Sequence, residues 1–172
     1  MILGLDISTS IIGVCVLKDE EIVLADYIDL RKAGDFFEKA QKTEEYLKNL
    51  CETHKIEHIF IEQALMFFKR GGSTAKTMSI LQRFNGTVSW QCYQTFGLKP
   101  EYIAPISARS KVDIKVPRGK KAKDVVMEHM IEKNEFEIVY TRAGNIQKYC
   151  YDIADAAVVA RAGRSILDEN NP

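Results

Sequence analysis

Three short β-rich runs follow one another at the beginning of the chain, and they restrict the possible folds more than any other feature. They span residues 2–8, 13–18 and 22–30, and a Ser/Thr-rich turn joins the first two. Runs of this length that are rich in Ile, Val and Leu are typical of strands. Because consecutive strands usually lie next to each other, the sequence predicts an antiparallel meander.

Strand and helix patterns alternate after the meander. The first helix pattern places apolar or small side chains four and three residues apart, as one helix face requires, at Phe36, Ala40, Thr43, Leu47 and Leu50. Further strands are predicted at 58–63 and 100–106, and further helices at 77–95, near 121–133 and at 151–167. The order β-β-β-α-β-α-β-α-α predicts an α/β fold in which helices cover both faces of a mixed sheet.

The size of the chain indicates one folding unit. It has 172 residues, 46% of them hydrophobic, which is enough for one substantial core and too few for two full-sized domains. We therefore predict a single domain over residues 1–172. The sequence contains no run of about 20 apolar residues, the length that a membrane helix needs, and no secretory leader. We expect a soluble, intracellular protein without a membrane partner, whose four widely spaced cysteines are reduced.

The charge distribution points to a phosphate-rich partner although the net charge is zero. Two basic segments stand out, and we predict that both contact a DNA backbone. The first surrounds a glycine pair and contains Lys69, Arg70 and Lys76; the second contains Arg109, Lys111, Lys115, Arg118, Lys120, Lys121 and Lys123. A solvated loop for the first segment and solubilising surface charge for the second remain open alternatives.

Two acidic residues stand inside apolar strand patterns. Asp6 lies within ILGLDIS and Glu62 within IFIEQAL. Burying an unpaired ionised carboxylate costs several kcal/mol, so we expect something to neutralise both groups. The alternative for Asp6 is a local role, in which its carboxylate caps the turn that follows.

A second acidic pair lies in the last helix pattern. Asp152 and Asp155 are three residues apart in YCYDIADAAVVA, so on a helix they project from one face. The alternative is that Asp152 is the N-cap of this helix and Asp155 a favourable first-turn charge.

Together, the four acids predict a metal site. If strands one and four are neighbours and the last helix packs on them, the four carboxylates converge and repel one another. Divalent cations relieve that repulsion, and a site of carboxylate oxygens without His or Cys suits Mg²⁺, with Mn²⁺ able to substitute. Two such ions activate water and stabilise the leaving oxygen in phosphodiester hydrolysis. A half-site of Cys51, His54 and His58 lacks a clear fourth ligand and does not predict zinc.

These motifs resemble a known family. ILGLDISTSIIGVCVL, IFIEQALMFFKRGGSTAKTMSILQRFNG and YCYDIADAAVVA are similar, in this order, to the three motifs of RuvC-type Holliday junction resolvases. The resemblance implies an RNase H-like fold with a five-stranded mixed sheet flanked by helices on both faces. It also implies that Asp6, Glu62, Asp152 and Asp155 are the catalytic metal ligands of a magnesium-dependent nuclease that cleaves four-way DNA junctions as a homodimer.

The sequence departs from the family pattern in two places. Ile7 and Ser8 follow the first acid where the family often has Pro-Gly, and Leu65 stands where bacterial members carry a junction-wedging aromatic residue. We predict that Phe67 or Phe68 inserts at the junction instead, with core packing as the equal alternative. Lys121 or Lys123 is expected to stabilise charge near the scissile phosphate.

The expected dimer follows from symmetry as well as from the resemblance. A four-way junction presents two symmetry-related strands, and a two-fold dimer offers one site to each. The helix around Ile80–Trp90 is the candidate dimer surface, although a core role is the favoured alternative for most of its apolar residues. Gly86 within it should cost about 1 kcal/mol relative to alanine, which predicts close approach of a neighbouring element.

Three other functions compete with a junction resolvase. The nearest is a broader nuclease for flaps or replication forks, and the second is a branched-DNA binding protein that does not cut. The presence of all four acids argues against the second. An actin-like or sugar-kinase relative, which would bind a nucleotide, needs two domains and a second phosphate loop, so we expect no nucleotide cofactor.

Overall fold

A five-stranded mixed sheet forms the centre of the protein. The computed structural model describes residues 1–64 and 75–170, and it contains five strands and five helices within those ranges. In chain order they are β1 (Ile2–Ile7), β2 (Ile11–Lys18), β3 (Glu21–Asp29), α1 (Phe36–Thr53), β4 (His58–Glu62), α2 (Ala75–Phe96), β5 (Glu101–Ile103), α3 (Pro105–Lys111), α4 (Ala122–Lys133) and α5 (Lys148–Asn170).

The strand order of the sheet is β3-β2-β1-β4-β5. The first three strands form the antiparallel meander, and β4 and β5 add to β1 in parallel. Strands β1 and β4, which carry the two strand acids, are therefore neighbours. The predicted α/β architecture, a mixed five-stranded sheet with helices on both faces, is confirmed.

Alternation along the strands divides the core into two layers. On one face, Leu3 and Leu5 of β1 pack with the buried residues of α1 and α2. On the other face, Ile2 of β1 and Phe60 of β4 pack against α3, α4 and α5. Four of the five predicted core positions of α1 are buried, at Ala40, Thr43, Leu47 and Leu50. The helix begins where the Asp35 carboxylate accepts hydrogen bonds from the backbone N–H groups of Phe37 and Glu38, an N-cap arrangement.

Two glycines let α5 lie unusually close to the sheet. A Cβ atom added at Gly13 of β2 would fall 1.9 Å from the backbone oxygen of Asp152. One added at Gly4 of β1 would fall 2.4 Å from the backbone oxygen of Ala156. Because any other residue would collide with the helix backbone, these positions determine how α5 lies over β1 and β2.

The structure corrects the sequence interpretation in two places. The strand predicted at 100–106 covers only Glu101–Ile103, and Pro105 begins α3, a helix that was not predicted. Proline suits the first turn of a helix because its missing N–H would have no partner there. The close neighbour expected for Gly86 is absent from the described part of the chain: a Cβ there would meet nothing within 4 Å.

Two further expectations concern the cysteines and membranes. All four cysteines are free, with Cys51 exposed and Cys15, Cys92 and Cys150 buried. Within residues 1–64 and 75–170, no helix combines the length and the apolar character that a membrane crossing requires.

Candidate active site

The two strand acids lie on the sheet face that α5 covers. Asp6 pairs directly with Gly13 across the β1–β2 ladder, and the position of Gly13 faces the Asp152 backbone. The parallel β1–β4 register runs to Leu5 opposite Ile61, so Asp6 and Glu62 are the next residues in line. Glu62 shares the face of Phe60, which packs on the α5 side. Asp6 and Glu62 therefore project side by side beneath α5.

The two helix acids complete the group. Asp152 and Asp155 lie in the early turns of α5, with side chains 17% and 15% exposed. Because α5 begins at Lys148, Asp152 is not its N-cap, and that alternative is excluded. The turn after β1 is held by the Ser8 hydroxyl, which donates to the Ile11 carbonyl and accepts from the backbone N–H groups of Ser10 and Ile11. A turn-capping role for Asp6 therefore has no support in this turn.

Burial raises the pKa of every acid in the group, and repulsion from neighbouring carboxylates adds to this at Asp6, Glu62 and Asp152. Burial is the main cause at Asp6, followed by repulsion from Glu62, Asp155 and Asp152, and its pKa lies well above the usual range. Burial, and then repulsion from Asp155, raises the pKa of Glu62 to about 7. Burial likewise raises the pKa of Asp152 and of Asp155. The four side chains thus form one electrostatic unit in which added negative charge is costly.

Lys123 is the cation that partly offsets this charge. Its ammonium lies 3.6 Å from a carboxylate oxygen of Asp155 and 3.9 Å from one of Asp152. Desolvation lowers the pKa of Lys123, but the four carboxylates raise it more, so the group stays charged. Arg109 of α3 lowers the pKa of Glu62 and of Asp155 from a longer range.

The donor chemistry of this group fits a hard divalent cation. All four side chains offer carboxylate oxygens, which Mg²⁺ prefers, and a bound cation would offset the burial and the repulsion that raise the pKa of Asp6 and Glu62. As the side chains stand, no three His, Cys, Asp or Glu residues in the described ranges have the geometry to enclose an ion. Lys123 bridges the helix pair instead.

The predicted DNA-contacting residues that the structure describes divide into three groups. Arg109 and Lys123 are near the carboxylates. Lys115, Arg118 and Lys121 are exposed on the connection between α3 and α4, and Lys76 is exposed near the beginning of α2. Lys111 and Lys120 are occupied by other partners: Lys111 donates to Glu169 at the far end of α5, and Lys120 to Glu128. Lys69, Arg70 and the wedge candidates Phe67 and Phe68 lie outside the described residues.

Three residues on the β3 side of the carboxylates were not predicted from the sequence. Tyr27 of β3 stacks on Tyr149 in the first turn of α5, and Arg31 lies within electrostatic range of Asp152. The meander register offered one signal, because Tyr27 pairs with Gly13 and Gly13 pairs with Asp6. That row of paired residues places Tyr27 on the same sheet face as the acids.

Comparison with known proteins identifies the fold. No model of a protein family matches the sequence, and no curated protein matches it either. Among solved structures, T. thermophilus RuvC in complex with a Holliday junction substrate is similar, with a TM-score of 0.70 at 12% identity over 98% of this chain and 94% of that chain. A structure of Thermus thermophilus RuvC gives a TM-score of 0.66 at 14% identity over 98% and 96% of the two chains.

The yeast mitochondrial Holliday junction resolvase Ydc2 is also similar. Its TM-score is 0.63 at 15% identity, over 99% of this chain and 81% of that chain. The likeness therefore extends over nearly the whole described architecture. At such identities it demonstrates the fold, and the predicted RuvC-type resolvase fold is confirmed.

Proposed function

We propose that the protein is a magnesium-dependent endonuclease that cleaves four-way DNA junctions. The observation that carries this proposal is the assembly of Asp6, Glu62, Asp152 and Asp155 on one sheet face, where each has a raised pKa. Clusters of carboxylates with shifted pKa values are typical of catalytic sites that bind cations. These acids come from three separate elements, so local helix or turn requirements do not account for their meeting.

The chain would contribute rigid positioning and charge to the reaction. Asp6 and Glu62 on the strands and Asp152 and Asp155 on α5 would hold Mg²⁺, which supplies an activated water and stabilises the leaving oxygen. Lys123 and Arg109 lie near these acids and would stabilise the negative charge that develops on a phosphate under attack there. Partial burial of the site strengthens these interactions because it lowers the local dielectric constant.

The structural neighbours and the surface charge both support junction DNA as the substrate. One neighbour was solved with a Holliday junction substrate and another is a Holliday junction resolvase. Arg109 and Lys123 act on the acids directly, and the exposed Lys115, Arg118 and Lys121 lie on the connection between the helices that carry them, so we take the five as one basic margin. Such a margin favours a polyanion and predicts binding that weakens steeply with salt.

The proposed enzyme acts as a homodimer through α2. The inner side of α2 contributes Phe84 and Val88 to the core, whereas Trp90 is 59% exposed on its outer side. An open groove of about 970 Å³ runs between α2 and the beginning of α1 and is bordered by Gly86, Trp90 and Phe37. Since no described residue approaches Gly86, we assign its missing neighbour to a second copy of the chain.

Replacement of Asp6 tests the function directly. Asp6→Asn keeps the shape of the side chain and removes its charge, so the variant should bind a labelled four-way junction with wild-type affinity and fail to cut it. The wild type should cut the junction with Mg²⁺ and not with EDTA. Its cleavage of replication forks, flaps and linear duplex should be at least tenfold weaker.

The same assay separates the competing functions. Equal cleavage of forks, flaps and junctions would indicate a broader branched-DNA nuclease. Junction binding without cleavage by the wild type, with Mg²⁺ or with Mn²⁺, would indicate a non-catalytic junction-binding protein. Cleavage of linear duplex as fast as junctions would contradict the resolvase proposal and leave the carboxylate site intact.

A further inference from the structure

A pair of stacked tyrosines lies on the β3 side of the carboxylates. The rings of Tyr27 and Tyr149 have centroids 4.1 Å apart and planes inclined by 11°. Both side chains are only partly buried. Tyr149 also packs against the core layer of α5, and the surface that both tyrosines leave exposed lies beside a group of charged side chains. An exposed aromatic surface of this kind is available to stack on a nucleotide.

Both tyrosines lie close to the carboxylates, Tyr27 across the sheet and Tyr149 along α5. Tyr27, Gly13 and Asp6 are successive partners across three adjacent strands. Because neighbouring strands are spaced about 4.8 Å apart, the Tyr27 and Asp6 backbones are separated by about 10 Å. Tyr149 precedes Asp152 by three residues on α5, so these two side chains occupy the same helix face.

Arg31 adds positive charge to this side of the site. Its side chain is 53% exposed and forms a two-point pair with Asp29, at 2.9 Å from Nε and 2.7 Å from a terminal nitrogen. That pair uses two of the five guanidinium N–H donors. Asp29 shares the face of Tyr27 because the two are alternate residues of β3. Arg31 also acts electrostatically on Asp152.

We propose that Tyr27, Tyr149 and Arg31 form a nucleotide-positioning surface that holds the DNA strand next to the scissile phosphate. The inference rests on the proposed function, since it assigns the second side of the same site. The tyrosine stack contacts the base or sugar of an unpaired or distorted nucleotide, and Arg31 contacts its phosphate. A strand lying across the carboxylates then has cations on both sides, Arg109 near Glu62 and Asp155 and Arg31 near Asp152, with Lys123 at the helix acids.

The dimensions determine which nucleotides are involved. A DNA strand advances about 3.4 Å per nucleotide along a duplex, so 10 Å covers up to about three nucleotides. The nucleotide-positioning surface therefore contacts nucleotides within about three positions of the cleaved phosphodiester. Every base has an aromatic face, so this contact fixes the position of the strand without reading its sequence.

The test compares Tyr149→Leu, which keeps apolar bulk on α5, with Tyr149→Phe, which keeps the ring. Tyr102→Leu is the matched control, because Tyr102 is 49% exposed and its hydroxyl bonds Ser89 of α2 on the opposite sheet face. Binding is measured in an Asp6→Asn background, and cleavage kinetics in the active protein. The probe is a four-way junction with 2-aminopurine placed one to three nucleotides from the cut.

Tyr149→Leu should raise the junction Kd and KM roughly tenfold, the scale of losing one base-stacking contact, with kcat little changed. The Asp6→Asn protein should quench 2-aminopurine fluorescence when it binds, and adding Tyr149→Leu should remove that quenching. In the active protein, Tyr149→Leu should spread cleavage to neighbouring phosphodiesters. Tyr149→Phe and Tyr102→Leu should behave as wild type. Arg31→Gln should lower the slope of log Kd against log salt by about one.

The outcomes separate this inference from the proposed function. If the wild type binds and cuts junctions while Tyr149→Leu and Arg31→Gln leave Kd, KM and quenching unchanged, the stack only attaches α5 to β3 and the inference is wrong. If the Asp6→Asn protein binds no junction, both proposals fail. Should Tyr149→Leu prove unfolded by circular dichroism, the salt slope and quenching of the surface variant Arg31→Gln decide the question.

Discussion

Gly13 lies directly against the backbone carbonyl of Asp152. A methyl group at position 13 would fall 1.9 Å from that oxygen, far inside van der Waals contact. Gly13 is also the ladder partner of Asp6. One glycine therefore sets the distance between an acid on the sheet and an acid on the helix.

Gly13→Ala should lower the cleavage rate strongly and the free energy of unfolding only moderately. The added methyl must push the first turns of α5 outward, and a displacement of about 1 Å at a reacting centre can cost roughly 100-fold in rate. Overpacking should lower the free energy of unfolding by about 1–3 kcal/mol. Single-turnover cleavage and chemical denaturation measure the two effects.

Ile12→Val is the matched control for this variant. Ile12 is fully buried on the opposite sheet face, so its truncation should cost about 0.5–1.5 kcal/mol without moving α5. Its cleavage rate should stay close to wild type. Equal rates for the two variants would contradict the positioning role of Gly13.

Without divalent cations, the protein should lose stability as the pH rises through about 7. The pKa of Glu62 is raised from 4.5 to about 7 in the fold, so the folded state favours the protonated carboxyl. Its contribution to stability is fully present below pH 4.5 and disappears as Glu62 ionises near pH 7. Asp6 acts in the same direction.

Glu62→Gln isolates this effect. The variant cannot ionise at position 62, so in EDTA its melting temperature should match wild type at pH 4 and exceed it at pH 8, as measured by differential scanning calorimetry. Addition of Mg²⁺ at pH 8 should raise the melting temperature of the wild type more than that of the variant. A melting-temperature difference that is constant with pH would contradict a raised pKa at Glu62.

Lys123 and Lys121 should differ sharply in their effect on cleavage. Lys123 contacts Asp152 and Asp155, whereas Lys121 is an exposed residue at the N-cap of α4. Lys123→Met should reduce kcat roughly 100-fold if its charge stabilises the reacting phosphate, and Lys121→Met should mainly weaken DNA binding. Lys121 is an exposed surface ion, so its replacement should change the free energy of unfolding by less than about 1 kcal/mol. The reverse ranking of kcat would assign the catalytic charge to Lys121.

Gly86→Leu should separate folding from self-association. A side chain at position 86 enters open space in a single chain, and leucine favours the helix over glycine by roughly 0.5–1 kcal/mol. The variant should therefore fold, yet sediment as a monomer in analytical ultracentrifugation where the wild type is a dimer. On a four-way junction it should give single nicks instead of paired incisions.

Gln94→Leu is the control for this experiment, since Gln94 is exposed on α2 and does not border the groove. It should remain dimeric and make paired cuts. A Gly86→Leu protein that stays dimeric would show that the association uses another surface.

Strand alternation explains why the position of the strand acids was predictable. Leu3, Leu5 and Ile7 of β1 commit one face to the core beneath α1 and α2, so Asp6 has to face the other layer. In β4, Ile59 and Ile61 likewise face α1 and α2, so Glu62 faces the layer of α5. The helical spacing of Asp152 and Asp155 then required only that α5 cover that layer. These are short-range patterns that a sequence displays directly.

The remaining features depend on contacts between distant parts of the chain. The charge run from Arg109 to Lys123 gave no indication that Lys111 pairs with Glu169, a partner 58 residues away. The stack of Tyr27 on Tyr149 depends on how the first turn of α5 meets an edge strand. The helix α3 was missed because seven residues after a three-residue strand carry little periodic signal.

The two-layer arrangement of β1 places a strict limit on how this strand can vary through evolution. Substitutions that preserve apolar bulk at Leu3 or Leu5 leave the reactive face where it is. One inserted or deleted residue before Asp6 would move every following side chain of the strand to the opposite sheet face. Asp6 would then point into the apolar layer under α1 and α2. β1 therefore tolerates amino-acid substitutions far more readily than an insertion or a deletion.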